Sequence, residues 1–225
     1  FEHFPKRQLR VGLIIIPMRI LNMNTPFISF RFRTFVFALM LCVSVRADLV
    51  ISEFLASNTA SEFLDEDGDS SDWIEIHNTG TSTMSLGGWA LTDDVDDIAK
   101  WTFPAVSIGP NRYVVLFASG KDRKFTNSEL HTNFKLSADG EYLALVSQAG
   151  DVVDEYEPSF PEQRSDFSYG VTADGTTLGY FANATPGSVN TGTFSGWVED
   201  PEFSVVRGIF SESFVLSLST GTSGA

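Results

Sequence analysis

From residue 49 onward the sequence alternates short apolar runs with segments rich in glycine, asparagine and aspartate, and this alternation constrains the fold more than any other feature. In the run 73–77, Ile74 and Ile76 alternate with polar residues, which is the two-residue period of a half-buried strand. No stretch repeats apolar residues at the spacing of a helix. We therefore predict strands at residues 49–55, 73–77, 88–91, 101–103, 113–118, 142–147, 152–156 and 168–171.

The segments between these runs carry the residue types that tight turns require. Gly109-Pro110-Asn111 and Ala138-Asp139-Gly140 are two examples, because glycine and asparagine tolerate the positive φ of hairpin turns. Many short strands at this spacing are typical of a β-sandwich or barrel, so the predicted fold class is all-β. The run 113–118 is almost wholly apolar, and we expect it to lie centrally in its sheet.

The charge is divided sharply along the chain. Residues 1–47 carry seven basic residues and one acidic residue, whereas residues 48–225 carry eight basic and 28 acidic residues, a formal charge of −20. Such a negative domain repels phosphate backbones, which argues against nucleic acid as a partner. It suits cations, basic surfaces or solubility alone. The single cysteine, Cys42, precedes the acidic part, which therefore has no disulfide, cysteine-zinc site or cysteine nucleophile.

Residues 1–47 are predicted to be upstream residues and a secretory signal peptide. The chain begins with Phe1, and we place the start of translation at Met23 or Met18. Two arginines then precede an apolar run at residues 35–43, and a V-x-A cleavage motif follows at residues 45–47. This order of features is typical of an exported protein, so we expect a secreted or cell-surface location.

A lipoprotein cut before Cys42 is the alternative reading of the N-terminal segment. Leu41 is too bulky for a good lipoprotein cleavage site, which favours the secretory interpretation. The apolar run is too short to cross a bilayer comfortably, so we expect no membrane span in the mature chain.

A series of motifs in residues 48–190 carries a family resemblance. They are Leu49-Val50-Ile51-Ser52-Glu53-Phe54, Asp72-Trp73-Ile74-Glu75-Ile76, Leu86-Gly87-Gly88-Trp89-Ala90-Leu91-Thr92-Asp93, Trp101-Thr102-Phe103-Pro104, Asp166-Phe167-Ser168-Tyr169-Gly170 and Thr185-Pro186-Gly187-Ser188-Val189-Asn190. In this order they resemble a bacterial lamin tail domain, an immunoglobulin-like β-sandwich. The resemblance implies a non-catalytic binding or scaffolding module. It leaves the partner as an unknown extracellular protein or polysaccharide.

The C-terminal segment shows a weaker resemblance. Residues 191–200 are rich in glycine, serine and threonine and are predicted to be a linker. Residues 201–225 are similar to the truncated start of a chitobiase/β-hexosaminidase C-terminal-type β-domain. This arrangement implies an alternative function, in which the chain is the N-terminal segment of a larger extracellular enzyme, such as a CotH-like kinase or a hydrolase.

The sharpest local chemistry lies in an acidic loop. Alternate carboxylates at Asp65, Asp67, Asp69 and Asp72 surround a glycine and can supply the oxygen ligands that Ca²⁺ prefers. The spacing is not that of an EF-hand, because the twelfth position is Ile76. The other interpretation is a solvated loop in which Asp72 braces the following strand. Calcium would be favoured if a second acidic loop, at residues 93–97, packs beside the first.

The tryptophans and histidines each admit a structural and a functional interpretation. Trp73, Trp89 and Trp101 could stack on sugars, but their strand patterns favour core positions, and Trp197 is the better candidate for an exposed aromatic. His77 and His131 are expected on the surface.

No enzymatic motif is visible in the sequence. It contains no G-x-S-x-G and no phosphate-binding G-x-x-x-x-G-K-[ST] loop. Acidic residues are so abundant that no particular pair can be assigned to glycoside hydrolysis. We therefore predict no catalytic residues and no cofactor other than calcium.

Overall fold

The structure, a computed structural model, describes residues 48–59 and 63–222, and the described residues form strands and loops with no helix. The predicted signal peptide, with Cys42, lies outside the described residues. The strands are β1 Leu49–Leu55, β2 Asp72–Asn78, β3 Met84–Ser85, β4 Ala90–Thr92, β5 Trp101–Thr102, β6 Ser107–Ile108, β7 Tyr113–Ala118, β8 Leu143–Val146, β9 Val152–Tyr156, β10 Ser168–Val171, β11 Leu178–Phe181, β12 Thr193–Phe194, β13 Glu202–Phe203 and β14 Leu218–Ser219.

Two antiparallel sheets form the body of the protein. One has six strands in the order β12-β11-β10-β1-β2-β7, and the other has four in the order β5-β4-β8-β9. Apolar residues of both sheets meet in one buried cluster that includes Phe54, Ile74, Trp101 and Leu145. The predicted all-β, immunoglobulin-like sandwich is confirmed, and Trp73 and Trp101 are fully buried, as the strand pattern indicated.

A bulge in β1 joins the two sheets. The register of β1 against β2 shifts between Ile51 and Glu53, which leaves Ser52 as an extra residue. The backbone of Ile51 then turns toward the other sheet, where its N–H donates to Asp154 Oδ2 at 2.7 Å and its carbonyl accepts from Tyr156 Oη at 3.2 Å. The central strand is therefore hydrogen-bonded within its own sheet and to β9 of the facing sheet.

Two fully buried carboxylates, Glu53 and Glu75, lie side by side on β1 and β2. The turn after Thr185 covers them: Thr185 Oγ1 donates to Glu53 Oε2 at 3.1 Å, and the Gly187 N–H donates to Glu75 Oε2 at 2.5 Å. Burial raises the pKa of Glu53, and burial raises that of Glu75 to about 7, with a further contribution from the neighbouring Glu53 charge. Asn190 completes the cover by donating to two backbone carbonyls of β1 and β10.

Three expectations about position and extent differ from the structure. Strand β7 lies at the edge of its sheet and not at its centre, because its apolar residues pack on the core while its outer side faces a loop. Thr193 and Phe194, expected in the linker, pair with β11. Trp197 is half-buried and not exposed, since its ring packs against Phe167 at 4.8 Å between centroids. The short strands β3, β6, β11 and β12 were not predicted.

The C-terminal residues form a small separate hairpin from β13 and β14. Its apolar side chains are highly exposed, including Val206 at 86%, Ile209 at 105% and Val215 at 85%. Across the described ranges, 48–59 and 63–222, there is no apolar helix of the length that a bilayer crossing requires.

Candidate functional site

The acidic loop is folded around one of its own aspartates. Asp65 Oδ1 accepts hydrogen bonds from the N–H groups of Asp67 and Asp69, both at 3.0 Å, and Asp65 Oδ2 accepts one from Ser71 Oγ at 2.7 Å. Gly68 turns the chain with φ of +81°, a left-handed conformation that favours glycine. Asp65 is therefore buried and organises the loop, whereas Asp67 and Asp69 are exposed.

A lysine three residues after β7 lies among these carboxylates. Lys121 Nζ lies 2.6 Å from Asp65 Oδ2, 2.7 Å from Asp67 Oδ2 and 2.9 Å from Asp69 Oδ2. Burial alone would raise the pKa of Asp65, but the bonds from Lys121, Ser71 and the loop amides outweigh it and hold that pKa well below its usual range. The ammonium group thus takes the position at which a bound cation would neutralise the loop.

The fourth predicted ligand is not part of this cluster. Asp72 begins β2 and accepts a hydrogen bond from the Asn58 N–H at 3.1 Å, and burial raises its pKa. The contacts of Asp72 fit the interpretation that it braces the strand. They do not place it beside Asp65 as a fourth ligand.

The second acidic loop is closed on itself. Thr92 Oγ1 donates to the carbonyls of Asp94 and Asp97 at 2.9 and 2.7 Å, and Asp93 pairs with Lys100 at 2.6 Å. Among the described residues, no hydrogen bond or ion pair joins this loop to the first one. These polar contacts therefore add nothing to the calcium hypothesis, which stays a prediction.

A row of three polar side chains adjoins the first loop. His131 is fully buried, so its predicted surface position is wrong; its backbone forms a parallel bridge with Phe117 that carries the ring inward. Ser119 Oγ lies 2.8 Å from His131 Nδ1, and His131 Nε2 lies 2.7 Å from Glu66 Oε2. Every group is satisfied when Ser119 donates to Nδ1 and Nε2 donates to Glu66.

Glu66 is the centre of a wider charged network. Its Oε1 accepts from Arg123 at 2.7 Å, and its backbone N–H donates to Glu129 Oε2 at 2.6 Å. Burial would raise the pKa of Glu66, but hydrogen bonds with His131, Glu129 and Arg123 lower it, whereas burial and the Glu66 carboxylate raise the pKa of Glu129. The pKa values of these two neighbouring carboxyl groups are therefore shifted in opposite directions, down for Glu66 and up for Glu129.

The network also contains a set of atoms that could ligate a metal. Glu66, Glu129 and His131 each offer one ligand atom, and these atoms lie within 4.8 Å of one another. One nitrogen and two oxygen donors suit a borderline cation such as Zn²⁺. No local signal marks this set in the sequence, because Glu66 is more than 60 residues from Glu129 and His131 and meets them only in the folded chain.

The hydrogen-bonded chain Ser119–His131–Glu66 resembles a proton relay. Its geometry does not favour nucleophilic attack by the Ser119 hydroxyl. Ser119 is only 9% exposed, although it lies in the wall of a groove of about 300 Å³ together with Lys121 and Lys135. Its Oγ accepts the Lys121 N–H at 3.2 Å, and the buried ring presents Nδ1 to it. These bonds fix the hydroxyl in place and leave it little access to a substrate.

Comparison with known proteins gives one family match. The model of the Lamin Tail Domain family matches residues 43–159, just over half of the chain. No curated protein matches the chain. The matched region runs from just before β1 to the end of β9, and β10 to β12 complete the six-stranded sheet beyond it.

Proposed function

Because this chain belongs to the lamin tail domain family, we propose that it is a non-catalytic binding or scaffolding module of a secreted or cell-surface bacterial protein. The family is a non-enzymatic, immunoglobulin-like fold, which supports this class of function. The acidic charge of residues 48–225 and the export signal expected at residues 1–47 support the location outside the cell. The partner would be an extracellular protein or a polysaccharide.

One observation carries the non-catalytic part of the proposal. The side chain best placed to act as a nucleophile, Ser119, is held between His131 Nδ1 and the Lys121 N–H and is almost fully buried. Its hydrogen bonds hold His131 and the Lys121 backbone, and the side chains of these two residues contact the acidic loop, which supports a structural role for Ser119. We therefore expect the module to act by binding a partner on its surface and not by catalysis at Ser119.

A hydrolysis screen tests the proposal directly. The purified full chain and the variant Ser119→Ala would be assayed with chromogenic esters, and both should show the same background rate. Turnover by the parent that is lost in S119A would overturn the assignment. Urea denaturation of both proteins would show whether the variant is folded.

A specific observation favours the second candidate function, in which the module is the N-terminal segment of a larger extracellular enzyme. The hairpin of β13 and β14 exposes several large apolar side chains, which in soluble proteins are normally covered. We propose that further residues of a β-domain cover them. Sequencing the gene past the codon for Ala225 tests this idea: a kinase-like or hydrolase-like domain in frame would support it, and an immediate stop codon would contradict it.

Calcium binding at the first acidic loop stays a proposal, restricted to Asp65, Asp67 and Asp69. Their carboxylates converge on one point, and a divalent cation could replace the ammonium of Lys121 there. Calcium must therefore compete with an ion pair that the protein already makes.

A further inference from the structure

The outer edge of β7 is incompletely paired. In its antiparallel pairing with β2, the Asn78 N–H donates to the Arg112 carbonyl, and the inward-bonded positions alternate from there. Tyr113, Val115 and Phe117 therefore direct their backbone N–H and C=O groups away from β2. These three residues present the bonding edge of the six-stranded sheet.

The chain itself uses one end of this edge. The Phe117 N–H donates to the Leu130 carbonyl at 2.8 Å, and the Thr132 N–H donates to the Phe117 carbonyl at 2.9 Å, which is a parallel pairing. No such backbone bond involves the outward groups of Tyr113 and Val115 within the described residues. The edge is thus paired at Phe117, whereas the outward backbone groups of Val115 and Tyr113 remain available for pairing.

A groove adjoins the edge strand at Val114 and Val115. Its volume is about 520 Å³, and Val114 and Val115 of β7 line it together with Val106, Ser107 and residues 126–130. Four of its nine lining residues are apolar, and Glu129 is its one charged residue. Apolar side chains and one carboxylate in the lining suit an extended chain that has apolar and basic side chains.

We propose that the free edge of β7 at Tyr113 and Val115 docks an extended segment of another protein, which adds as a further strand and places a basic side chain near Glu129. The outward N–H and C=O groups recur every two residues along β7, which matches the backbone of an extended polypeptide and not a polysaccharide. The charge of −20 in residues 48–225 favours a basic segment over an acidic one. The inference rests on the proposed binding function and assigns its partner class and surface.

The test uses the full chain and a synthetic peptide of alternating valine and lysine flanked by threonine. A matched peptide with glutamate in place of lysine and a version N-methylated at alternate residues are the ligand controls. We expect the basic peptide to bind at least about tenfold more tightly than either control, because charge and strand pairing both contribute. Fluorescence anisotropy measures the affinities, and equal affinities for the three peptides would overturn the proposal.

Val115→Pro tests the position of the site. It removes one outward N–H without removing a bond to β2, and Val115→Thr is the matched control that keeps the donor. V115P should lose peptide binding while V115T retains it. Unchanged binding by a folded V115P would overturn the site but leave the binding function standing. If V115P does not fold, the N-methylated peptide still decides between strand addition and other modes.

The edge could also pair with a second copy of the chain. Sedimentation of the parent and of V115P separates this case: a parent dimer that becomes a monomer in V115P would overturn the proposed occupant. A monomeric parent that binds the basic peptide supports it. Catalytic turnover in the hydrolysis screen would contradict the proposed function without any bearing on the β7 edge.

Discussion

At the scale of single residues, the buried pair Glu53 and Glu75 makes stability depend on pH. The folded-state pKa of Glu75 is about 7, above the ordinary value of 4.5, so the folded protein holds a proton that the unfolded chain releases. Its contribution to the free energy of unfolding is fully present below about pH 4.5 and is lost as pH rises toward 7. The shift corresponds to at most about 3 kcal/mol.

Glu75→Gln should remove this part of the pH dependence. Urea denaturation between pH 4.5 and 8 would give a flatter profile of unfolding free energy for E75Q than for the parent. Glu162→Gln, at an exposed glutamate, is the control and should keep the parental slope. Parallel profiles for the parent and E75Q would refute the assignment of the slope to Glu75.

Lys121 governs the charge of the acidic loop, and Lys121→Met should expose its role. The substitution leaves the buried Asp65 carboxylate without its cation, so we expect a loss of roughly 3 kcal/mol in the free energy of unfolding. Thermal melts with CaCl₂ then test the calcium proposal: the ion should raise the Tm of K121M more than that of the parent. Lys135→Met is the matched control, since this exposed lysine lines the same groove and has no ion pair within 4.0 Å in the described structure.

A melt that calcium leaves unchanged in both K121M and the parent would exclude the site at Asp65, Asp67 and Asp69. Equal destabilisation by K121M and K135M would instead contradict a specific contribution of the Lys121 ion pairs to stability.

At the scale of elements, the contact of β1 with β10 depends on a residue that has no side chain. A Cβ on Gly170 would lie 2.1 Å from the Ser52 carbonyl oxygen, because the bulge brings the β1 backbone against β10. Gly170→Ala should therefore cost roughly 3 kcal/mol or more of unfolding free energy. Gly196→Ala meets nothing within 4 Å and should change it by less than about 0.5 kcal/mol. Chemical denaturation of both variants gives the comparison, and similar losses would contradict the contact.

The elements show what a sequence can and cannot predict here. The strands β1, β7, β9 and β10 begin and end at the predicted residues, because the alternation that defines a strand is local. The edge position of β7 depends on which strands flank it, and apolar composition alone does not report that. The acidic loop was visible because its aspartates are neighbours in sequence.

The rest of the candidate site could not be found in this way. Lys121 and His131 contact Asp65 and Glu66 of the loop, although more than 50 residues of sequence separate them from it. Burial of His131 depends on its bridge to Phe117, which no spacing of residues encodes. The two-residue strand β12 is too short to give any periodic signal.

At the scale of the whole molecule, the sandwich extends beyond the predicted boundary at Asn190. Strand β12 lengthens the six-stranded sheet, and Trp197 packs against Phe167 and beneath Arg164, whose guanidinium lies 4.4 Å from the ring centre. The hairpin of β13 and β14 makes no such contacts with the sandwich among the described aromatic and polar interactions.

Two shortened chains test this boundary. A chain that ends after Val198 should keep the Tm of the full chain within about 2 °C, whereas one that ends after Asn190 should lose roughly 5–10 °C, because apolar surface of the sheet is uncovered. Differential scanning calorimetry measures both. Equal melting temperatures would place the structural boundary at Asn190.

The position of β1 also determines how the module responds to tension. If the chain were pulled from both sides of the sandwich, load would enter before Leu49 and leave after Trp197. Strand β1 is held along both sides by β2 and β10 and is tied to β9 through its bulge, so it must be sheared out as a whole. Strand β12 is attached by two residues at the rim of the sheet and would peel away first. Extension would therefore begin at the C-terminal end, before the more extensively bonded β1 is released.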